Sequence, residues 1–224
     1  TTPTREDGGL RELAGRMTET LHYRGPDGSG IWVDQRAGIA LGHRRLAIID
    51  LTPAGAQPMA SACGRFVITY NGEVYNFPEL RQDLESRGYR FRGHSDTEVV
   101  LEAIAEWGIE SALQRLNGMY AFALWDRESR TLTLARDRAG KKPLYYGWCG
   151  RTFLFGSELK ALRAHPDFQG DLDSDALGLF VQYSWIPAPF SIFRKVRKLE
   201  AGSFLTIAPS GPGANATPRR YWSA

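Results

Sequence analysis

The sequence predicts an α+β fold, a four-layer αββα sandwich in which two antiparallel sheets lie between outer layers of helices. Three observations indicate this fold. Apolar residues at helical spacing mark amphipathic helices, strand-like runs rich in branched and aromatic residues recur along the chain, and short polar turns join most of these runs. Such turns connect antiparallel neighbours, and stacked sheets and helices bury the apolar face of every element.

Five segments of the sequence are predicted to be helices. Leu10, Leu13, Met17 and Leu21 recur at helical spacing, which predicts an amphipathic helix over 10–22. Capping residues, a proline in a first turn and closing glycines predict further helices. These lie at 76–88, 96–107, 158–164 and 174–183. The second and third of the five are expected to lie side by side.

The strands divide into two groups along the chain. Runs in the first half are spaced as hairpins, and they lie at 30–34, 37–43 and 65–70. Runs in the second half predict an antiparallel meander that forms the second sheet by itself. They lie at 119–126, 131–137, 144–148 and 152–155, with a last strand at 203–207.

The chain is predicted to form one domain over 1–208 followed by a linker over 209–224. From Pro209 to Pro218 the sequence consists of Pro, Gly, Ser, Ala, Asn and Thr, a composition that cannot bury a core. A further domain is expected beyond the linker.

Composition argues against several classes of partner. The 28 basic and 25 acidic residues give a formal net charge of +3, and no long block has one sign, so nucleic acid is not an expected partner. No apolar run reaches the roughly 20 residues that span a bilayer, so a membrane is not expected either. Cys63 and Cys149 lack metal-ligand spacing, which predicts ordinary thiols, no metal site and a cytoplasmic protein.

Short polar motifs carry the candidate chemistry, and each has a structural alternative. Arg45 follows an apolar strand and has the fork geometry that binds a carboxylate, although strand-end arginines are also commonly solvated. Asn71 and Gly72 predict either a hairpin turn or two donors of an oxyanion hole. Asp96 either caps a helix or holds an ammonium group. Asp137 lies in a charged turn, where it is solvated or pairs with neighbouring cations.

In their order and spacing, these motifs resemble the glutamine amidotransferase domain of asparagine synthetase over about residues 10 to 208. The resemblance rests on 24–27, 45–50, 71–76, 95–98, 136–146 and 157–162. Glucosamine-phosphate synthase and the purine amidotransferase share the same catalytic logic. The last two motifs favour the asparagine-synthetase branch.

The resemblance implies the N-terminal-nucleophile hydrolase fold and its chemistry. In that family an N-terminal cysteine attacks the glutamine side-chain amide, and its own α-amino group shuttles the proton. Ammonia leaves, and water releases glutamate from the thioester. By the same resemblance, Asn71 and Gly72 are the oxyanion donors, while the family's opening Met-Cys-Gly-Ile has no counterpart at Thr1-Thr2-Pro3. The nucleophile is therefore expected in a short preceding piece.

The resemblance also assigns the residues that hold glutamine. Arg45 would bind its α-carboxylate and Asp96 its α-ammonium group, Glu73 would orient this end, and backbone at Ile48 and Ile49 would line the pocket. A zwitterion needs one cationic and one anionic anchor, and the distance from these anchors to the oxyanion donors selects the side-chain length. Asparagine is expected to be too short.

The implied function is glutamine hydrolysis that supplies ammonia for ATP-dependent amidation of aspartate or a related carboxylate. The expected partners are L-glutamine and a C-terminal synthetase domain of the same polypeptide, with a homodimer left open. No cofactor is expected in this domain, while ATP and magnesium are expected in the synthetase domain. The alternative is a non-catalytic glutamine-binding or regulatory domain that has lost its nucleophile. One departure is Tyr23, where the family usually has histidine.

Overall fold

The computed structural model describes residues 7–208 and 217–223 and, among these, the side chains from residue 9 onward. Helices and antiparallel strands alternate along the chain. The helices are α1 Asp7–Glu19, α2 Phe77–Ser86, α3 Asp96–Trp107, α4 Ile109–Arg115, α5 Leu159–Arg163 and α6 Ser174–Tyr183. The strands are β1 Gly28–Asp34, β2 Ile39–Arg45, β3 Met59–Ala60, β4 Phe66–Val74, β5 Gly118–Asp126, β6 Thr131–Arg136, β7 Tyr145–Cys149, β8 Thr152–Gly156, β9 Arg197–Lys198, β10 Ser203–Ile207 and β11 Arg219–Arg220.

All five predicted helices are confirmed, with small shifts at their ends. α2 and α3 pack side by side as expected, through Leu80, Leu84, Val100 and other members of one core. The short helix α4 was not predicted, because Gly108 ends α3 and the chain resumes a helix immediately. Within residues 7–208 and 217–223, no helix is long and apolar enough to cross a bilayer.

The strands form three antiparallel sheets rather than the two predicted. β1 pairs with β2, the strands β8, β7 and β9 form a second sheet, and a six-stranded sheet has the order β11-β10-β6-β5-β4-β3. The prediction that the second-half strands form one meander is therefore wrong. β5 pairs with β4 from the first half over nine residues, whereas β7 and β8 belong to another sheet.

The turn after β6 explains why the meander breaks. Asp137 is fully buried and accepts hydrogen bonds from the backbone N–H groups of Tyr120, Ala139, Lys141 and Lys142, at 2.9–3.2 Å. The chain wraps around this carboxylate and leaves the six-stranded sheet, and β10 takes the place beside β6. Both sequence-based interpretations of Asp137 are wrong, because it is neither solvated nor paired with the neighbouring cations.

Three apolar cores hold these elements together. One lies between the six-stranded sheet and helices α2, α3 and α4. A second joins the other face of that sheet to side chains of β1, β2, β7 and β8, including Leu41, Trp32 and Phe153. A third lies between β7, β8 and the helices α1 and α5. One face of the six-stranded sheet therefore packs on helices and the other on the smaller sheets.

The domain extends past its predicted boundary at residue 208. Arg219 and Phe204 pair in the β10–β11 ladder. The Tyr221 hydroxyl donates to the Arg136 carbonyl at 2.9 Å and lies 2.9 Å from the Tyr120 hydroxyl. Residues 219–221 are thus part of the packed domain and not of a linker, while 209–216 lie outside the described residues.

Candidate functional site

One cleft of about 610 Å³ is lined by all seven residues that the sequence singled out for binding and catalysis. Its walls are the end of β2, the loop that follows, the exposed edge of β4 and the start of α3. The cavity continues between the sheets as far as Trp125 and Ile207. The seven residues are Arg45, Ile48, Ile49, Asn71, Gly72, Glu73 and Asp96.

The edge of β4 supplies a row of backbone donors to this cleft. β3 pairs with β4 at Val67 and Ile68, and no strand in the described part of the chain pairs with the later residues on that side. Along this edge the N–H of Tyr70 donates to Gln57 Oε1 at 2.6 Å, and the N–H of Val74 donates to Asp96 Oδ2 at 3.0 Å. Because backbone N–H groups alternate in direction along a strand, the N–H of Gly72 points to the same edge, between those two.

The Asn71 amide is the second donor at this point. Its Nδ2 is buried and has no hydrogen-bond partner among the described residues. Asn71 and Gly72 lie inside the nine-residue strand β4, paired with Ala121 and Tyr120, so the hairpin alternative is wrong. Two N–H donors from adjacent residues thus belong to the lining of one cleft.

Asp96 supplies the negative charge of the cleft. The side chain of Ser95 caps α3 by accepting from the Glu98 N–H, so the alternative that Asp96 is the cap is wrong. The Asp96 carboxylate is buried, and its Oδ2 accepts from the Tyr70 hydroxyl at 2.9 Å as well as from Val74. Burial raises the pKa of Asp96, hydrogen bonds from Val74, Tyr70 and Thr97 oppose this rise, and the charge of Glu73 adds to it. A bound cation would favour the ionised carboxylate.

Arg45 supplies the positive charge. One terminal nitrogen, Nη2, donates to the carbonyls of Asp50 and, at 2.9 Å, Thr52. Its Nε and Nη1 make no hydrogen bond to any residue in the described ranges, so two donors of the fork remain available. Arg44 points the other way and bonds to the Gly25 carbonyl and Glu19. The alternative of two solvated strand-end charges is therefore wrong.

Sequence reasoning missed the residues that hold the cleft together. Gln57 accepts from Tyr70 and donates to Thr97 Oγ1 at 3.3 Å, which links the loop, β4 and α3. Asp50 accepts from the Thr52 hydroxyl and from the N–H groups of Thr52 and His94, at 2.6–2.8 Å. These bonds, the Thr52 hydroxyl first, lower the pKa of Asp50 to about 2. Gln57 lies outside the motifs, and Asp50 ends the motif at 45–50 without a chemical role of its own there. Both roles depend on partners from other parts of the chain, Tyr70 and Thr97 for Gln57 and His94 for Asp50.

His43 is a further cleft residue that the sequence did not indicate as functional. Its ring lies 3.3 Å from the Thr69 hydroxyl. Burial lowers the pKa of His43 to about 4, with the charge of Arg45 as the second cause. The ring is therefore neutral at neutral pH, which leaves Arg45 as the cation beside it.

The departure at Tyr23 is accommodated locally. The Tyr23 hydroxyl donates to Glu158, which also accepts from Arg24 at 2.7 Å. The Lys160 ammonium lies 3.7 Å from the centre of the Tyr23 ring, a cation–π contact. Tyrosine at this position thus joins the two loops that meet here.

The cysteines stand apart from the cleft. Cys63 is exposed and Cys149 is buried, both as free thiols, and neither lines the cavity. The part of the chain that the structure describes contains no group of three or more His, Cys, Asp or Glu side chains that could hold a metal ion.

The sequence of this chain matches a known class of domain. The sequence profile of the glutamine amidotransferase domain matches residues 3–222, so the chain belongs to this family, as a class II glutamine amidotransferase domain. Within the class it is related to asparagine synthetases. It is 39% identical over 216 residues to glutamine-hydrolysing asparagine synthetase 3 of Bacillus subtilis, covering 95% of this chain and 34% of that protein. It is 38% identical over 223 residues to asparagine synthetase 1 of the same organism, covering 99% and 34%.

The chain spans about a third of the length of these curated relatives. A putative asparagine synthetase of Mycobacterium tuberculosis H37Rv gives the same picture, with 38% identity over 203 residues, 86% of this chain and 31% of that protein. The domain described here therefore corresponds to one part of larger proteins in those organisms.

A solved structure shares the fold. The glutamine phosphoribosylpyrophosphate amidotransferase of B. subtilis matches with a TM-score of 0.69 over 96% of this chain and 47% of that chain. Sequence identity is 22%, so this likeness shows the fold alone. The predicted α+β class is confirmed.

Proposed function

We propose that this domain hydrolyses L-glutamine and supplies the ammonia to an ATP-dependent synthetase part of the same polypeptide. That part would amidate aspartate or a related carboxylate, with ATP and magnesium bound there and not here. The observation that carries this proposal is the pair of adjacent donors, the Asn71 amide and the Gly72 N–H, in one cleft with a cation and an anion. A cytoplasmic location belongs to the same proposal.

The two charges fit the ends of a free amino acid. The Nε and Nη1 of Arg45 would donate to the α-carboxylate of glutamine in a fork. Asp96 would accept from the α-ammonium group, and Glu73, whose charge already acts on Asp96, would add to the attraction. The side-chain carbonyl of glutamine would then reach the donors on β4, which the shorter asparagine would not.

The donors suit the charge that develops during acyl transfer. Attack of a thiolate on the side-chain amide places negative charge on the carbonyl oxygen, and the Asn71 and Gly72 N–H groups would stabilise it. The C–N bond then breaks, ammonia leaves, and water cleaves the thioester to give glutamate. The attacking sulfur would belong to an N-terminal cysteine, whose α-amine takes and returns the proton.

The proposal also gives a position to the segment that would carry this cysteine. The cavity is lined by β2, which among the described strands pairs with β1 alone, and by β8, the outer strand of its sheet. We place the preceding strand between β2 and β8, with its terminus towards Asn71. The two smaller sheets would then form one layer against the six-stranded sheet, giving the four-layer sandwich of N-terminal-nucleophile hydrolases.

The test uses a chain preceded by Met-Cys-Gly-Ile, with glutamate and ammonia measured after methionine removal. We expect this cysteine-bearing chain to hydrolyse glutamine, and Asn71→Ala in it to lower kcat by about 100-fold, because one oxyanion donor is lost. Asn117→Ala, a matched change at an exposed position, should keep full activity.

Unchanged turnover in Asn71→Ala would remove the Asn71 amide from the mechanism. Glutamine binding without any hydrolysis in the cysteine-bearing chain would favour the non-catalytic glutamine-binding alternative.

A further inference from the structure

The helix α6 and the loop after it present an apolar surface that no described residue covers. We call it the α6 surface. Its large side chains are between 45% and 78% exposed. They are Leu177, Phe180, Val181, Tyr183, Trp185 and Phe190.

The α6 surface is held in place by its backbone. The Asp173 carboxylate caps the helix by accepting from the N–H groups of Asp175 and Ala176 at 3.0 and 3.1 Å. At the other end the Ser184 N–H donates to the Phe180 carbonyl at 2.8 Å. The loop is fixed where the Lys198 N–H donates to the Pro189 carbonyl at 2.9 Å. The exposed side chains thus project from an ordered helix and loop.

Packing does not explain this helix. Of its ten residues, Ala176 alone is buried against the described part of the chain. A helix this short is marginal in water without a packed face, and helices with apolar residues on most sides are normally buried. An exposed apolar patch of this kind marks a place where another protein surface binds.

The chemistry of the α6 surface restricts what can cover it. From Ala176 to Phe190 the sequence contains no Asp, Glu, Lys, Arg or His. A charged partner such as nucleic acid would find no complement here. The α6 surface suits another apolar protein surface in a permanent interface. Such interfaces resemble a domain core cut in half.

We propose that the α6 surface docks the synthetase part of the same polypeptide, which would present an apolar face to it. This inference rests on the proposed function. The occupant is chosen because the chain spans only 34% of each of its two B. subtilis relatives, so in those proteins a larger part of the polypeptide accompanies this domain. A partner tethered in this way can cover an apolar surface permanently.

Hydrogen–deuterium exchange tests the docking on the full-length encoded polypeptide and on the 224-residue chain. We expect the backbone amides within residues 179–190 to exchange at least about tenfold more slowly in the full-length protein than in the 224-residue chain. Val181→Asp in the full-length protein should restore fast exchange, because a carboxylate would be buried in the interface. Gln82→Asp, at an exposed position of α2, should leave the protection unchanged.

The other outcomes overturn the docking. One is equal exchange in both proteins, and another is an encoded polypeptide that ends with this chain. A third is protection that disappears on dilution as a dimer dissociates, which would make a second copy of the chain the occupant. Glutamine hydrolysis is measured in the same samples and should stay within about twofold in Val181→Asp. Protection without any hydrolysis would contradict the proposed function and leave the docking intact.

Discussion

Asn71 and Asp96 each carry a free-energy cost that the described fold does not offset. A buried donor without a partner, such as Asn71 Nδ2, costs about 1–3 kcal/mol. Burial of the Asp96 carboxylate disfavours its ionised form, as the raised pKa shows. A ligand that offers a carbonyl oxygen and an ammonium group would relieve both costs. At the scale of residues, a ligand that carries these two groups is therefore expected to stabilise the protein.

His43 should make stability depend on pH in a defined window. Its pKa is lowered from 6.5 to about 4 in the folded protein, so between these values the unfolded chain binds a proton that the folded protein does not. The free energy of unfolding should therefore decrease as pH falls from about 6.5 to 4, and His43 should account for about 2–3 kcal/mol of that decrease. Urea denaturation at several pH values should show this loss reduced in His43→Gln.

The matched control is His22→Gln, since His22 is exposed. It should retain the dependence of the unaltered chain. If the free energy of unfolding depended on pH equally in the unaltered chain and both variants, the pKa of His43 would be the same in the folded and the unfolded protein.

At the scale of elements, the β4–β5 pair sets the position of the oxyanion donors. A Cβ atom on Gly72 would lie 2.7 Å from the Cα of Tyr120 and closer still to the Met119 carbonyl oxygen, both of them backbone atoms. Gly72→Ala should therefore force the strands apart and lower the free energy of unfolding by about 1–3 kcal/mol or more. Urea denaturation measures the loss.

Gly178→Ala in α6 is the control, because nothing lies within 4 Å of the added carbon. It should be neutral or stabilise the protein by up to about 1 kcal/mol, since alanine favours the helix. Equal stability of Gly72→Ala and the unaltered chain would show that β4 and β5 adjust without cost.

Local patterns predicted the elements better than their pairing. The helices α1, α2 and α3 were found because their apolar periodicity and caps lie within one segment. The pairing of β4 with β5 joins residues about fifty positions apart, and nothing in either strand specifies its partner. The departure of the chain at Asp137 depends on a buried carboxylate whose backbone partners come from two regions.

The same limit applies to the cleft. Arg45, Asn71 and Asp96 could be singled out because each lies in a short motif with a chemical meaning, and the cleft brings them together. Gln57 and Asp50 could not, because their function is to connect loops that meet only after folding. The roles of Arg45, Asn71 and Asp96 in binding glutamine stay predictions.

At the scale of the whole molecule, the last described segment closes the domain. The Tyr221 hydroxyl bonds to the Arg136 carbonyl and to the buried Tyr120. Tyr221→Phe should leave these groups without their partner and lower the free energy of unfolding by about 1–3 kcal/mol in urea denaturation. Tyr183→Phe, with an exposed side chain, should have no comparable effect. Equal stability of both variants would mean that the hydrogen bonds of the Tyr221 hydroxyl add nothing to the stability of the domain.

The convergence of Arg45, Asp96 and the two β4 donors on one small amino acid is tested most directly by calorimetric titration of the 224-residue chain with L-glutamine. We expect binding that Arg45→Ala weakens by about 30-fold or more, because a charged pair worth at least about 2 kcal/mol is lost. Asp96→Asn should weaken it as well, and L-asparagine should bind less tightly. Arg87→Ala, at the exposed position directly after α2, should leave glutamine binding unchanged. Undiminished glutamine affinity in Arg45→Ala and Asp96→Asn would contradict the account.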